Sequence, residues 1–267
     1  MVEKFIKYLK VQNLSVNTIS AYEKTISMFY SLYEEITKKN LLAFKGYLLE
    51  NYKPKTVNLR IQAVNKYLEF LKKSNLKLSA IKLQQKTFLE NVISDADYRY
   101  FKNQLKKDEN MEWYFVVRYL AATGARVSEL VQLKIEHVQV GYYDIYSKGG
   151  KIRRLYIPKK LRNETMTYFE KIKRTTGFLF LNRFGEKITT RGISLQLKKL
   201  ARKYGLDPVV IYPHSFRHRF AKNFLEKYND IALLADLMGH DSIETTRIYL
   251  RRTSTEQREI VDNIVVW

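Results

Sequence analysis

The chain has 267 residues, with 48 lysines and arginines against 27 aspartates and glutamates, and it contains no cysteine. A formal charge of +21 favours a polyanionic partner, nucleic acid first, and the lack of cysteine excludes disulfide stapling, thiolate nucleophiles and cysteine-ligated zinc. The basic excess runs along the whole chain, 16 basic against 7 acidic residues up to residue 90 and 32 against 20 beyond, so no detachable tail explains it.

The opening MVEKFIKYLK has neither the apolar run nor the cleavage site of a signal peptide. No apolar stretch approaches the roughly 18 residues of a membrane span, so a cytoplasmic protein without a membrane partner is expected. The first 80 residues read almost entirely as helix. Ser15 caps a helix carrying Ile19, Tyr22, Ile26, Phe29 and Tyr30 on one side. A short amphipathic segment follows from Thr37 to Leu49, and a third helix enters at Pro54 with Val57, Ile61, Val64, Leu68 and Leu71 along its stripe. These stripes make a bundle core. On the opposite faces Lys53, Lys55, Arg60, Lys66, Lys72 and Lys73 are candidates to lie against phosphates, or they form a solvated basic surface.

Periodicity weakens after Leu76, which places domain boundaries at 1–80 and 93–267 with a linker over 81–92. The second domain opens with a helix near Ser94, whose Asp95 and Asp97 suit a helix N-terminus. An apolar helix from Met111 to Ala122 stops at Thr123-Gly124, and another starts around Ser128-Glu129-Leu130. Alternation then predicts a strand over Tyr142–Tyr146 and an antiparallel partner around Leu155–Ile157, turned at Gly149-Gly150. Helices return after Pro158, from Ile193 to Tyr204, after Pro213, between Asp230 and Gly239, and from Ser242 to Leu250. The end of the chain is apolar, with Ile260, Val261, Ile264, Val265, Val266 and Trp267.

Within this second half Arg126, Lys148, His214, Arg217, His240 and Tyr249 form a complete set for phosphoryl transfer, which needs a nucleophile, cations for the anionic oxygens and a proton for the departing oxygen. Tyr249 offers a phenol that forms a phosphotyrosyl ester once neighbouring cations favour its deprotonation. Arg126 and Arg217 present permanent charge and rigid donors to one phosphate. His214 and Arg217 lie three apart, so one helical turn brings both to the same place. Lys148, with Lys151 as the alternative, supplies a mobile ammonium to protonate the 5′ oxygen. His214 and His218 also have the spacing of a metal pair, but no cysteine or acidic ligand accompanies them, and His218 reads as a packing or hydrogen-bonding residue.

TGARVSEL at 123–130, KGGK at 148–151, PHSFRHRF at 213–220 and LMGHDSIETTRIY at 237–249 resemble, in this order, the tyrosine recombinase and phage-integrase superfamily, particularly compact Xer-like members. The resemblance implies a mainly α, two-domain DNA clamp, with an N-terminal helical core-binding bundle and a mostly helical catalytic domain containing a small hairpin. It matches the six residues above to the family's catalytic set and Glu129 to its supporting acid. It implies cleavage through a 3′-phosphotyrosyl link without ATP or metal, and strand exchange through a Holliday junction by a DNA-dependent homotetramer on paired sites. The apolar C-terminus would dock on a neighbouring protomer, and a directionality factor would be an accessory partner. The implied setting is cytoplasmic and nucleoid-associated, with integration or excision of a mobile element as the task. A type IB topoisomerase-like nicking and closing enzyme and an inactive DNA-binding regulator are the alternatives.

Overall fold

The computed structural model describes residues 2–83, 91–146, 152–240, 242–250 and 254–265. Its chain divides into two compact units, Met1–Gln85 and Lys86–Trp267. Residues 84–90 of the expected linker, the hairpin turn with Lys148 and Lys151, and Val266 and Trp267 lie outside the described residues.

The first unit contains α1 (Val2–Val11), α2 (Val16–Leu32), α3 (Lys38–Asn51) and α4 (Pro54–Phe70). Local chemistry sets where each begins. The Ser15 hydroxyl accepts the Thr18 N–H at 3.1 Å, Thr37 does the same for Asn40, and Pro54 occupies a first turn in which its missing donor costs nothing. The apolar stripes meet in one core, where Phe5 meets Tyr67 edge-on at 4.9 Å and Phe29 meets Phe44 at 5.3 Å.

Beyond α4 the chain is strapped back onto it. The Asn65 side chain both donates to and accepts from the backbone of Leu78 at 2.8 Å, and Asn58 holds Ile81 in the same two-way manner at 2.9 and 2.8 Å. Leu78 is buried in the core. Ile81, read as linker from the fading periodicity, is therefore fastened to the first unit by backbone hydrogen bonds that hydrophobic spacing does not register.

The second unit runs α5 (Asp95–Lys107), α6 (Met111–Thr123), α7 (Val127–Leu130), α8 (Ile135–Val140), β1 (Tyr142–Tyr146), β2 (Ile152–Tyr156), α9 (Lys159–Lys171), α10 (Thr190–Lys203), α11 (Pro213–Tyr228), α12 (Ile231–Met238), α13 (Ile243–Arg247), a 3₁₀ turn over Ile248–Leu250, and α14 (Ser254–Ile264). The segment from Ser242 to Leu250, expected as one helix, is thus a short helix that tightens into 3₁₀ geometry around Tyr249. β1 and β2 pair antiparallel, with Tyr143 opposite Leu155 and Ile145 opposite Arg153. α6 is buried nearly all round through Tyr114, Phe115, Val116, Val117, Tyr119 and Leu120, which makes it the central helix. Among the described residues no helix is long and apolar enough to cross a membrane.

Candidate active site

Two glycines bring the site's elements together. Gly124 ends α6 in the left-handed region at φ 63°, and any Cβ there would strike the Phe220 ring of α11. This close approach lets Arg217, from the first turns of α11, reach the Gly124 carbonyl at 2.6 Å. Gly239 ends α12 at φ 60°, and a Cβ there would meet the Arg153 side chain from β2.

The end of α12 is where the cations gather. Its last carbonyls have no partner in the next helical turn. Those of Ala235 and Asp236 accept the N–H groups of His240 and Gly239. The next three carbonyls each accept from a different arginine: Leu237 from Arg153, Met238 from Arg217 at 2.7 Å, and Gly239 from Arg126 at 2.9 Å. The arginines come from β2, α11 and the start of α7, so one helix terminus draws three elements to a point. The negative end of the helix favours them further.

Glu129 binds two of these arginines. Its Oε1 accepts from the Arg126 guanidinium at 3.0 Å, while Oε2 accepts the Arg126 backbone N–H at 2.7 Å and also takes Arg153. Glu129 is 9% exposed, and two cations compensate the burial of its carboxylate. Arg217 is 1% exposed and its Nε has no hydrogen-bond partner among the described residues. Burial, followed by the charge of Arg126, lowers its pKa to about 10, so it stays cationic at neutral pH.

The Arg217 guanidinium also meets the Nε2 of His240 at 3.0 Å. Guanidinium nitrogens only donate, so this imidazole nitrogen accepts and the proton resides on Nδ1, which donates to the Thr246 hydroxyl at 2.8 Å. Thr246 is fully buried. Burial and the nearby arginines push the His240 pKa down to about 4.

Tyr249 is 5% exposed and packs among Ala221, Leu225, Leu234 and Met238. The His240 ring lies nearly parallel to it, 6.1 Å away and 12° off. The His218 ring lies 5.3 Å from that of Tyr249, and the His214 ring lies 4.5 Å from that of His218. Burial raises the phenol's pKa, while the charge and hydrogen bonding of Arg217 and the charge of Arg126 pull against that rise. His214 is shifted down by burial and by the same two arginines, and His218 reaches about 4. All three imidazoles are therefore neutral at pH 7. A cleft of about 610 Å³ opens beside this cluster, lined by Arg126, Glu129, Arg153, Arg154 and His240 among others.

The structure thus brings together Arg126, His214, Arg217, His240, Tyr249 and Glu129. Lys148 and Lys151 fall outside the described residues. The basic candidates of the first unit do not share one environment. Lys53 and Lys55 are exposed at the start of α4. The Arg60 guanidinium instead lies over the Tyr52 ring at 4.4 Å and against the Met28 sulfur at 3.4 Å, and Lys66 pairs with Glu69 at 3.0 Å. Sequence reasoning missed Arg153 and Thr246. Arg153 alternates with Leu155 on the inward face of β2, a period-two signal that an arginine was pointing inside.

Residues 91–256 match the family described as "Phage integrase family", and residues 2–75 match "Phage integrase, N-terminal SAM-like domain". Among curated proteins the chain is 31% identical to Tyrosine recombinase XerA of Pyrococcus furiosus, over 98% of this chain and 93% of that one. It is 28% identical to Tyrosine recombinase XerD of Listeria monocytogenes, over 97% and 96% respectively. Solved structures share the fold. A Tn1549 transposon integrase in complex with circular intermediate DNA superposes with a TM-score of 0.73 at 17% identity, covering 99% of both chains. A lambda integrase dimer bound to a core site gives 0.73 at 16%, covering 93% of this chain and 75% of that one.

Proposed function

The chain belongs to the phage integrase family and is a tyrosine-type site-specific DNA recombinase, and from that premise we propose that Tyr249 is its nucleophile, with Arg126, Arg217 and His214 stabilising the reacting phosphate. The observation that carries this assignment is the convergence of Arg217, His240 and Tyr249 around the end of α12. The Tyr249 oxygen bonds to a phosphorus of duplex DNA as the bond to the 5′ oxygen breaks. The phenol gives its proton to a neutral imidazole of the pocket, and the departing oxygen gains one from Lys148, with Lys151 as the alternative donor. The product is a 3′-phosphotyrosyl link and a free 5′ hydroxyl.

The two arginines hold positive charge where the pentacoordinate phosphate gathers negative charge, in a setting already organised before the DNA arrives. An entering phosphate adds negative charge beside the phenol and engages the cations that oppose its protonation, so the phenol stays protonated in the bound state and its charge develops only as the bond to phosphorus forms. His240, held by Thr246, positions the phosphate or the tyrosine. One phosphate ester replaces another, so rejoining needs no ATP, and no metal or other cofactor enters the step.

Exchange between two sites passes through a Holliday junction, and we assign it to a homotetramer assembled on paired DNA sites, with an accessory directionality factor. The exposed Val261, Ile264 and Val265 at the end of α14 support docking on a neighbouring protomer. Lys53 and Lys55 are the phosphate contacts we retain in the first unit. The setting is cytoplasmic, on the nucleoid, and the task is integration or excision of a mobile element. Sequencing protein-bound DNA from the native cell across its cleavage junctions tests that task. Junctions at the ends of a discrete element bear it out, and a single fixed chromosomal site overturns it.

A nicked suicide duplex tests the chemistry. Wild-type protein should become covalently attached to a 3′ end, and Tyr249→Phe should lose the adduct entirely while keeping DNA affinity. An adduct that persists in Tyr249→Phe would remove Tyr249 from the role.

A further inference from the structure

The three arginines on the end of α12 are not equivalent in the reading above. Arg126 and Arg217 face the phosphate in it, whereas Arg153 has no assigned part. Yet Arg153 is largely buried, with one terminal nitrogen on Glu129 and the other on the Leu237 carbonyl. Its side chain passes so close to Gly239 that a Cβ at that residue would collide with it. It also belongs to β2, which begins at Ile152, the residue after Lys151 in the sequence.

We propose that Arg153 is a positioning residue that sets the Arg126 guanidinium through Glu129 and fixes the end of α12. Glu129 has two oxygens and two arginine clients. With Arg153 in place, Oε2 is engaged and Arg126 is held through Oε1 at one defined position. Without Arg153 the carboxylate would carry an unspent charge next to Arg126 and would draw that guanidinium away from the phosphate side. The Leu237 carbonyl would also lose its arginine donor, two residues ahead of Gly239 and three ahead of His240. Both consequences act on groups that touch the phosphate, although Arg153 itself need not touch it.

This inference rests on the assignment of the pocket to strand cleavage, so the experiment includes a control for that assignment. Adduct formation on the suicide duplex is timed for wild type, Tyr249→Phe, Arg153→Met, Glu129→Gln and the Arg153→Met/Glu129→Gln pair, with DNA affinity and thermal unfolding followed in parallel. Arg153→Met should slow cleavage about 10–100-fold, the range usual for groups that orient a reacting side chain, with DNA affinity within about threefold of wild type, a margin of about 0.7 kcal/mol. In the Glu129→Gln background the same change should cost less than about threefold, because the carboxylate through which it acts is already neutral.

Wild-type cleavage by a folded Arg153→Met protein would overturn the proposal. So would full, additive losses in the double variant, which would put Arg153 on the DNA itself. Should methionine prevent folding, Arg153→Lys decides: it reaches only one of the two acceptors, so cleavage drops by at least about threefold, or about 0.7 kcal/mol, and a wild-type rate refutes the idea. An adduct surviving Tyr249→Phe would instead sink the pocket's assignment, whatever Arg153 does.

Discussion

The first unit and the α12 pocket of the second are built on opposite rules. The first buries phenylalanine, leucine and valine, and leaves charges such as Lys53 and Lys55 at the surface. The pocket buries Arg217, Arg153, Glu129, His218 and Thr246 within a few residues of one helix end. Burying charge costs free energy unless each group is paired. The pocket meets most of that condition with backbone carbonyls and one shared carboxylate, leaving the Nε of Arg153 and of Arg217 and the Nδ1 of His218 without a hydrogen-bond partner among the described residues. A region that departs from the hydrophobic pattern at such cost is where function is expected.

The sharpest way to break this contrast is to remove a pocket cation. Arg217→Met should lower suicide-substrate cleavage by about 10²–10³-fold, the usual loss when a preorganised donor to a transition state is deleted, and should also destabilise the second unit by orphaning the Gly124 and Met238 carbonyls. A cleavage rate near wild type would make Arg217 purely structural. The matching change in the first unit is Phe44→Ala, which should cost about 3–5 kcal/mol in denaturant unfolding. Cleavage per covalently competent molecule should be unaltered, since Phe44 lies in the other unit's core. A slower chemical step in molecules that remain folded would contradict that separation.

Acid should divide the two regions more gently. All four histidines, His137, His214, His218 and His240, belong to the second unit. Those at 218 and 240 are depressed to about 4. The unfolded chain, whose histidines titrate near the ordinary value of about 6.5, then binds more protons than the folded one between those limits. Stability is complete above that window and is lost as pH falls through it. Hydrogen exchange corrected for intrinsic rates should show protection of α11 and α12 declining from pH 7.5 to 5 while α2 and α4 hold. An equal decline in both units would remove histidine as the cause. The smallest effect belongs to Lys66→Ala, whose half-exposed pair with Glu69 should change unfolding free energy by no more than about 0.5 kcal/mol. A loss several times larger would show that the first unit also relies on charge.

The same contrast explains what could be read from the residues alone. Helix starts at Ser15, Pro54, Ser94 and Pro213 were legible because capping and proline chemistry are local. The strand pair was legible from alternation, although β2 begins at Ile152 and not at the expected Leu155, and Arg126, Arg217, the histidines and Tyr249 were legible from their type and order. What escaped were interactions whose partner is backbone. Asn58 and Asn65 clasp main-chain groups, and Arg153 grips the carbonyl of Leu237. Every residue carries such an acceptor, so its letter says nothing about where it is used. α8 was missed for a different reason: six residues are too few to display a helical period.

The near-complete burial of Tyr249 has one more consequence. A phosphotyrosyl ester formed there could be resolved by a DNA hydroxyl or, with equal chemical competence, by a water molecule, and the second outcome leaves a permanent nick. A phenol walled in by aliphatic side chains and imidazole rings keeps bulk solvent out of that competition. With Tyr249 as the proposed nucleophile, that seal would favour rejoining over hydrolysis during the interval in which the strand is open.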